Sequence, residues 1–262
     1  MNLLTASLVF TFAFFISASA AIVERDVEYK LGGAVFEGFQ VHDDALNGKR
    51  PAVLVIHQWT GLSNYEKKRA RMLAELGYNV FAADIYGKGI LPLAPGPAAK
   101  ESGVYKKDRA LYRARLMAAL EVLQRDELTD ASNIAVIGYC FGGAGALELA
   151  RAGAPVKGVV SFHGSLDAGE GHAAKADVKM PKILVLHGAD DPYAPASQVE
   201  DLRKEMKAAG ADLEVILYQG AVHAFTQPQA GDDPSKGAAF HDQSDRKSWR
   251  AMKDFFAELF GK

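Results

Sequence analysis

Gly138-Tyr139-Cys140-Phe141-Gly142 joins an apolar run at 133–138 to a helical pattern that begins at 141. Glycines two residues to either side of a nucleophile permit the sharp, strained strand-to-helix turn that lifts a reactive side chain above a sheet edge. The helix that follows points its N-terminus at the sulfur, which favours thiolate over thiol. The Phe141 amide is positioned to donate to a developing oxyanion. A free cysteine is more often a buried packing residue, but the paired glycines at a strand–helix junction favour a nucleophile. Cys140 is the only cysteine in the chain.

An acid and a base follow in the order nucleophile, acid, histidine that this elbow requires. The run at 182–187 is succeeded by Gly188-Ala189-Asp190-Asp191-Pro192-Tyr193-Ala194-Pro195. Acids at the carboxyl end of a parallel strand border the crevice where ligands bind. Asp191, followed directly by Pro192, is the expected acid and Asp190 the solvated neighbour; the plainer alternative is a pair of turn-forming aspartates. Beyond the last apolar run, Gln219-Gly220-Ala221-Val222-His223-Ala224-Phe225 offers His223 in a small-residue loop. Of the other six histidines, only His163, just after the run at 156–161, is a rival near the crevice.

These residues need a scaffold, and the chain is patterned for one. Two glycines (Gly32, Gly33) divide alternating runs at 27–31 and 34–41, which predicts an antiparallel hairpin. Apolar runs at 52–57, 79–84, 133–138, 156–161, 182–187 and 213–218 predict strands buried on both faces. Helical patterns separate them: 64–76 closed by Gly77, 104–125 with Leu111, Leu116, Ala119 and Leu123 inward, 141–151, 195–209, and a closing helix at 244–260. The fold class is α/β, a mostly parallel central sheet with helices on both faces and an N-terminal hairpin. The loop at 87–97 and the polar stretch 226–243 are expected to form the pocket mouth.

Composition narrows the function. At 49% hydrophobic and 24% charged, the 262 residues are globular rather than disordered. Thirty Lys+Arg against 32 Asp+Glu give a net charge of −2, with no positive field to draw nucleic acid. The histidines lack ligand spacing and one cysteine makes no thiolate cluster, so no metal is expected; no cofactor loop is visible either. Residues 1–20 hold no Asp, Glu, Lys or Arg, with an apolar core at 8–16 and Ala18-Ser19-Ala20 behind it. They are expected to be a cleaved signal peptide, leaving 21–262 as one exported domain, periplasmic or secreted, with no membrane attachment after cleavage.

The mature chain resembles the dienelactone hydrolase family of α/β-hydrolases. The likeness is carried by His57-Gln58-Trp59-Thr60-Gly61-Leu62, Ala83-Asp84-Ile85-Tyr86-Gly87, Gly138-Tyr139-Cys140-Phe141-Gly142-Gly143, the loop ending Asp191-Pro192-Tyr193-Ala194-Pro195, and Gly220-Ala221-Val222-His223-Ala224-Phe225. The resemblance implies a Cys140–Asp191–His223 triad, a second oxyanion donor from the Trp59 amide, and a small-molecule ester or lactone substrate. It also implies contacts to substrate or its surroundings from Gln58, Tyr86, Lys88 and Gln227. Three departures stand out: Gln58 where lactone-cleaving members carry Glu, Lys88 and Gln227 where they carry two arginines, and the export signal. A reading from another class is a non-hydrolytic ligand-binding or redox-responsive thiol protein on the same fold.

Overall fold

The computed structural model describes residues 21–261; the expected signal peptide lies outside the described residues. The hairpin is β1 (Ile22–Leu31) and β2 (Ala34–Asp43), turning at Gly32-Gly33. Then follow β3 (Arg50–Ile56), α1 (Asn64–Ala74), β4 (Asn79–Ala83), α2 (Pro95–Lys107), α3 (Arg109–Arg125) and β5 (Thr129–Tyr139). The rest comprises α4 (Phe141–Arg151), β6 (Gly158–Phe162), β7 (Lys182–Gly188), α5 (Ala196–Ala208), β8 (Leu213–Tyr218) and α6 (Asp242–Phe260). The sheet runs β1-β2-β4-β3-β5-β6-β7-β8; β1–β2 and β2–β4 are antiparallel and every other pairing is parallel.

Strand β3 explains the layering. Successive side chains leave a strand on opposite faces, so Ala52, Leu54 and Ile56 join the core under α3, α4 and α5, with Leu116, Leu147 and Met206. Val53 and Val55 join the other core under α1 and α6, with Leu73, Met252 and Phe256. A strand buried on both faces has no polar side to show, which is why the run reads as continuously apolar. From β3 the chain moves one way to β4 and returns past it to β5. That reversal opens a crevice at the carboxyl ends of β3 and β5, where ligands bind in such sheets.

The helix expected at 104–125 is two helices. α2 begins at Pro95, inside the stretch expected as loop, because a proline costs nothing in a first turn. The chain breaks at Asp108 (φ −113°, ψ 87°), whose carboxylate accepts from the Leu111 amide at 2.8 Å and starts α3. The inward face of α3 is Tyr112, Leu116, Ala119, Leu120 and Leu123; Leu111 is only half-buried because the stripe turns one residue from the expected one.

α4 is buried along its whole length, and its one acid, Glu148, is fully enclosed. Arg113 Nε (2.8 Å) and Arg151 Nη1 (3.2 Å) donate to its carboxylate. Arg151 continues to Glu205 of α5 at 2.8 Å. Isolating one such buried charge costs about 3–5 kcal/mol, so the network fixes α3, α4 and α5 as a unit beneath the elbow.

Candidate active site

Cys140 stands at the turn between β5 and α4 with φ 54° and ψ −112°, and its amide donates to the Phe162 carbonyl at 3.0 Å. A Cβ at Gly138 would run into the Gly142 carbonyl, and one at Gly142 into the Ile56 carbonyl. The two glycines are therefore demanded by backbone crossing backbone, which is what holds the cysteine in its strained geometry. Besides Cys140, the other non-glycine residues with positive φ among those described are His163 (39°) and Ala224 (57°). Both adjoin the same site.

His223 Nε2 lies 3.0 Å from Cys140 Sγ, and its Nδ1 lies 2.8 Å from Asp191 Oδ2. Asp191 Oδ1 accepts from the amides of Tyr193 (2.8 Å) and Ala194 (3.3 Å), which orient the carboxylate. Asp190 is exposed and accepts from the Gly220 amide at 3.1 Å. Burial alone would push the Cys140 thiol up, but the His223 charge, the His223 hydrogen bond and the Phe141 amide outweigh it and leave the thiol below its ordinary value. Burial likewise works against the His223 cation, yet the thiolate and Asp191 raise it to about 10. Each group stabilises the charged form of the other, which favours passage of the thiol proton to His223 Nε2, with Asp191 orienting the ring.

A buried polar clamp grips the His223 loop three residues on. Tyr65 Oη is 2.6 Å from Thr226 Oγ1, Arg69 Nη2 donates to the Thr226 carbonyl at 3.0 Å, and Arg69 is tied to Asp245 of α6 at 2.5 Å. Arginine cannot accept, so Arg69 Nε donates to Tyr65 Oη (3.3 Å) and the tyrosine proton turns to Thr226. The Thr226 hydroxyl also lies 2.8 Å from His163 Nε2, so the clamp reaches the histidine beside His223. Burial, with the nearby His223 charge, keeps His163 well below its ordinary pKa. Its ring centroid is 5.3 Å from that of His223, so neutrality there avoids a second cation beside the imidazolium.

The opposite wall comes from the end of β3. His57 accepts from the Ile85 amide through Nε2 (3.1 Å) and donates from Nδ1 to the Gln58 carbonyl (2.6 Å), with burial drawing its pKa down to about 4. Tyr86 Oη donates to the Trp59 carbonyl at 2.9 Å, and Tyr112 Oη to the Phe141 carbonyl at 2.8 Å. Each residue expected to supply an oxyanion amide thus has its own carbonyl held by a tyrosine. The Trp59 N–H makes no hydrogen bond among the described residues.

Gln58, Trp59, Cys140, Phe141, His223 and Gln227 line one cleft of about 1140 Å³. Tyr86 lies behind its lining. Lys88 lies outside it: Glu28 and Glu37 of the hairpin draw its ammonium to the surface, the latter at 2.7 Å, which corrects the expectation that it reaches a substrate. The cations on the wall are instead Lys67, Lys106 and Arg109. Those, and the Tyr65–Arg69–Thr226 clamp, went unread in the sequence; a polar pair at i, i+4 on the face of α1 was its one visible trace. The mouth is shared as expected between the loop at 87–97, through Leu91 and Leu93, and the 226–243 stretch, through Gln227, Gln229, Ala230 and Ala238. Among the described residues no group of three or more His, Cys, Asp or Glu gathers as a metal site.

A Gly-x-Cys-x-Gly elbow with an acid and a histidine at successive strand ends, on a sheet that is parallel from β4 to β8, defines an α/β-hydrolase. Residues 36–260 match the dienelactone hydrolase family, and the chain belongs to it. It is an enzyme of the hydrolase class. It is similar to a dienelactone hydrolase-like promiscuous phosphotriesterase from metagenomic libraries, 36% identical, covering 92% of this chain and 99% of that one with a TM-score of 0.85. An Escherichia coli (strain K12) protein provisionally named carboxymethylenebutenolidase is 28% identical over 82% of this chain and 80% of its own length. A Caenorhabditis elegans protein, K02A2.1, is 30% identical over 56% of this chain and 94% of its own.

Two outcomes follow from the electrostatics and the clamp. In His223→Ala the thiol loses the two largest influences that lower it and keeps only the Phe141 amide and the Lys106 charge against burial, so the acid limb of iodoacetamide alkylation should move upward. Alkylation at pH 7 should then fall about tenfold or more; an unmoved limb would show that no ion pair exists. Thr226→Val keeps the shape of the side chain and removes the hydroxyl. Steady-state kinetics on any turned-over ester should show kcat reduced about tenfold with KM little changed, as expected for a positioning residue.

Proposed function

We propose that this hydrolase cleaves ester or lactone bonds through a Cys140–His223–Asp191 triad and an acyl-enzyme. The observation that carries the proposal is the 3.0 Å approach of His223 Nε2 to Cys140 Sγ in a cleft able to hold a substrate. The thiolate attacks the carbonyl carbon, an S–C bond forms, and the carbonyl electron pair moves onto oxygen. The amides of Phe141 and Trp59 receive that oxyanion; one such donor contributes about 10²–10³ in rate. Collapse breaks the C–O bond, and the leaving alkoxide takes the proton from His223 Nε2. In a lactone the alkoxide stays attached to the acyl group. Water then gives a proton to Nε2 and attacks the thioester, and the thiolate departs to re-form the pair.

His223 Nε2, 3.0 Å from the sulfur, is placed to take the thiol proton, so thiol activation needs no further base, and Gln58, which cannot take a proton, is compatible with turnover. Gln58 and Gln227 carry no charge, and Lys88 is spent on Glu28 and Glu37. A substrate carboxylate therefore meets no arginine pair at these positions, which favours a broader ester range over a carboxylate-bearing lactone. The apolar, uncharged segment 1–20 supports export of the domain to the periplasm or beyond.

Purified protein is expected to hydrolyse p-nitrophenyl acetate, and acid-quenched intact-mass analysis to show an acetyl adduct on Cys140. Cys140→Ala should lose both the adduct and the turnover; retained hydrolysis would remove Cys140 from the nucleophile's role. N-terminal sequencing of protein recovered from cell fractions is expected to begin at Ala21 in the exported fraction, and an uncleaved cytoplasmic chain would refute export.

A further inference from the structure

Large apolar side chains exposed singly on a surface mean little. Leu91 (46% exposed) and Leu93 (67%) are not scattered: both line the cleft that holds Cys140, and Ile90 (45%) adjoins them. Their loop is built, with Ile90 N–H donating to the Gly87 carbonyl at 2.9 Å and Leu93 N–H to the Leu91 carbonyl at 3.0 Å. Leu91 packs against Gly61, where a Cβ would lie 3.2 Å from its Cδ1. Gly61 closes the turn that carries Trp59, its amide donating to the Gln58 carbonyl at 3.1 Å. The leucines therefore flank the oxyanion side of the site. Tyr193 (59% exposed) lies on the other side, its ring 5.3 Å from that of His223.

That arrangement sorts the two arms of an ester. His223 hands its proton to the leaving alkoxide, so the leaving group lies toward His223 and Tyr193, and the acyl group toward Trp59 and Leu91. On the wall, Arg109 and Ser165 are both turned to Asp167, which accepts from Ser165 Oγ and from Arg109 Nη2, each at 2.8 Å. A cleft of about 1140 Å³ is also at the upper end of what drug-sized ligands occupy, well beyond a single small ring.

We propose that the substrate carries an extended apolar acyl arm, seated against Leu91 and Leu93 at the rim of the Cys140 cleft. The proposal rests on the thiol-hydrolase reading and adds the class of substrate to it.

Two series test it. With p-nitrophenyl acetate, butyrate, hexanoate and octanoate, kcat/KM should rise about threefold per added methylene while the arm runs along the leucines. Leu91→Ser/Leu93→Ser should flatten the octanoate-to-acetate ratio; both side chains are largely exposed, so the fold tolerates the change. Independently of turnover, alkylation of Cys140 by N-alkylmaleimides should accelerate from methyl to octyl in the native protein and not in the double variant. Acetate cleaved with a flat ester series and a flat maleimide series would overturn the acyl arm and leave the thiol hydrolase standing. No ester cleaved, with the maleimide series still rising, would overturn the substrate claim through the reaction itself. A dimer that the double variant dissolves, with both series flat, would assign the leucines to a second copy of the chain and overturn the proposal.

Discussion

Neither charge of the Cys140–His223 pair survives burial alone. Desolvation pushes the thiol toward neutrality and works against the imidazolium, and each is offset chiefly by the other at 3.0 Å, with the Phe141 amide and Asp191 adding to it. The pair joins residues 83 apart in the chain, so its geometry is entirely a product of the fold. A few tenths of an ångström matter here, because charges in a buried site interact far more strongly than in water. The strained elbow, the acid loop after β7 and the clamp on Thr226 all bear on one distance.

Strain and rigidity are distributed accordingly. The non-glycine residues with positive φ among those described, Cys140, His163 and Ala224, surround the ion pair, and such backbone persists only where surroundings over-determine it. At Cys140 the over-determination is steric, from Gly138 and Gly142 packed on neighbouring backbone, and polar, from the Phe162 carbonyl. At Ala224 it is the grip on Thr226 two residues later. His163 is held by its amide hydrogen bond to the Leu186 carbonyl and by the clamp that runs from Arg69 through Tyr65 and Thr226.

What could be read in the sequence was what local sterics and periodicity encode. The elbow is legible because only glycine tolerates backbone at the distance Gly138 and Gly142 require. The strands are legible because a two-faced core leaves no polar alternation in β3, β4 and β6. Asp191 could be separated from Asp190 by the proline after it, and the structure has Asp191 against His223 while Asp190 meets solvent. The break at Asp108 was illegible because helix propensity runs smoothly through it, and only a side-chain cap on Leu111 marks the new start. The clamp was illegible for a different reason: Tyr65 and Thr226 are 161 residues apart, and nothing local to either announces the other.

Lys88 shows how a position can be matched and its role still missed. Its backbone lies near the site, with its amide bonded to Val35, but Glu28 and Glu37 on the hairpin compete for the ammonium and win, since both are close and solvent-facing. The charge balance of the cleft is then set by residues that no motif names. Lys67 is paired with Asp26, Arg109 with Asp167, and Lys106 bears no counter-ion among the described residues while its charge helps hold the Cys140 thiol down. Asp167 is the one acid on that wall, already bonded twice, and Glu66 behind Gln58 is fully enclosed with its carboxyl pushed up by burial. A glutamate at position 58 would set a carboxylate in the same wall as the thiolate, raising the thiol and competing for the imidazolium proton. Glutamine removes that competitor and leaves His223 as the base beside the thiol.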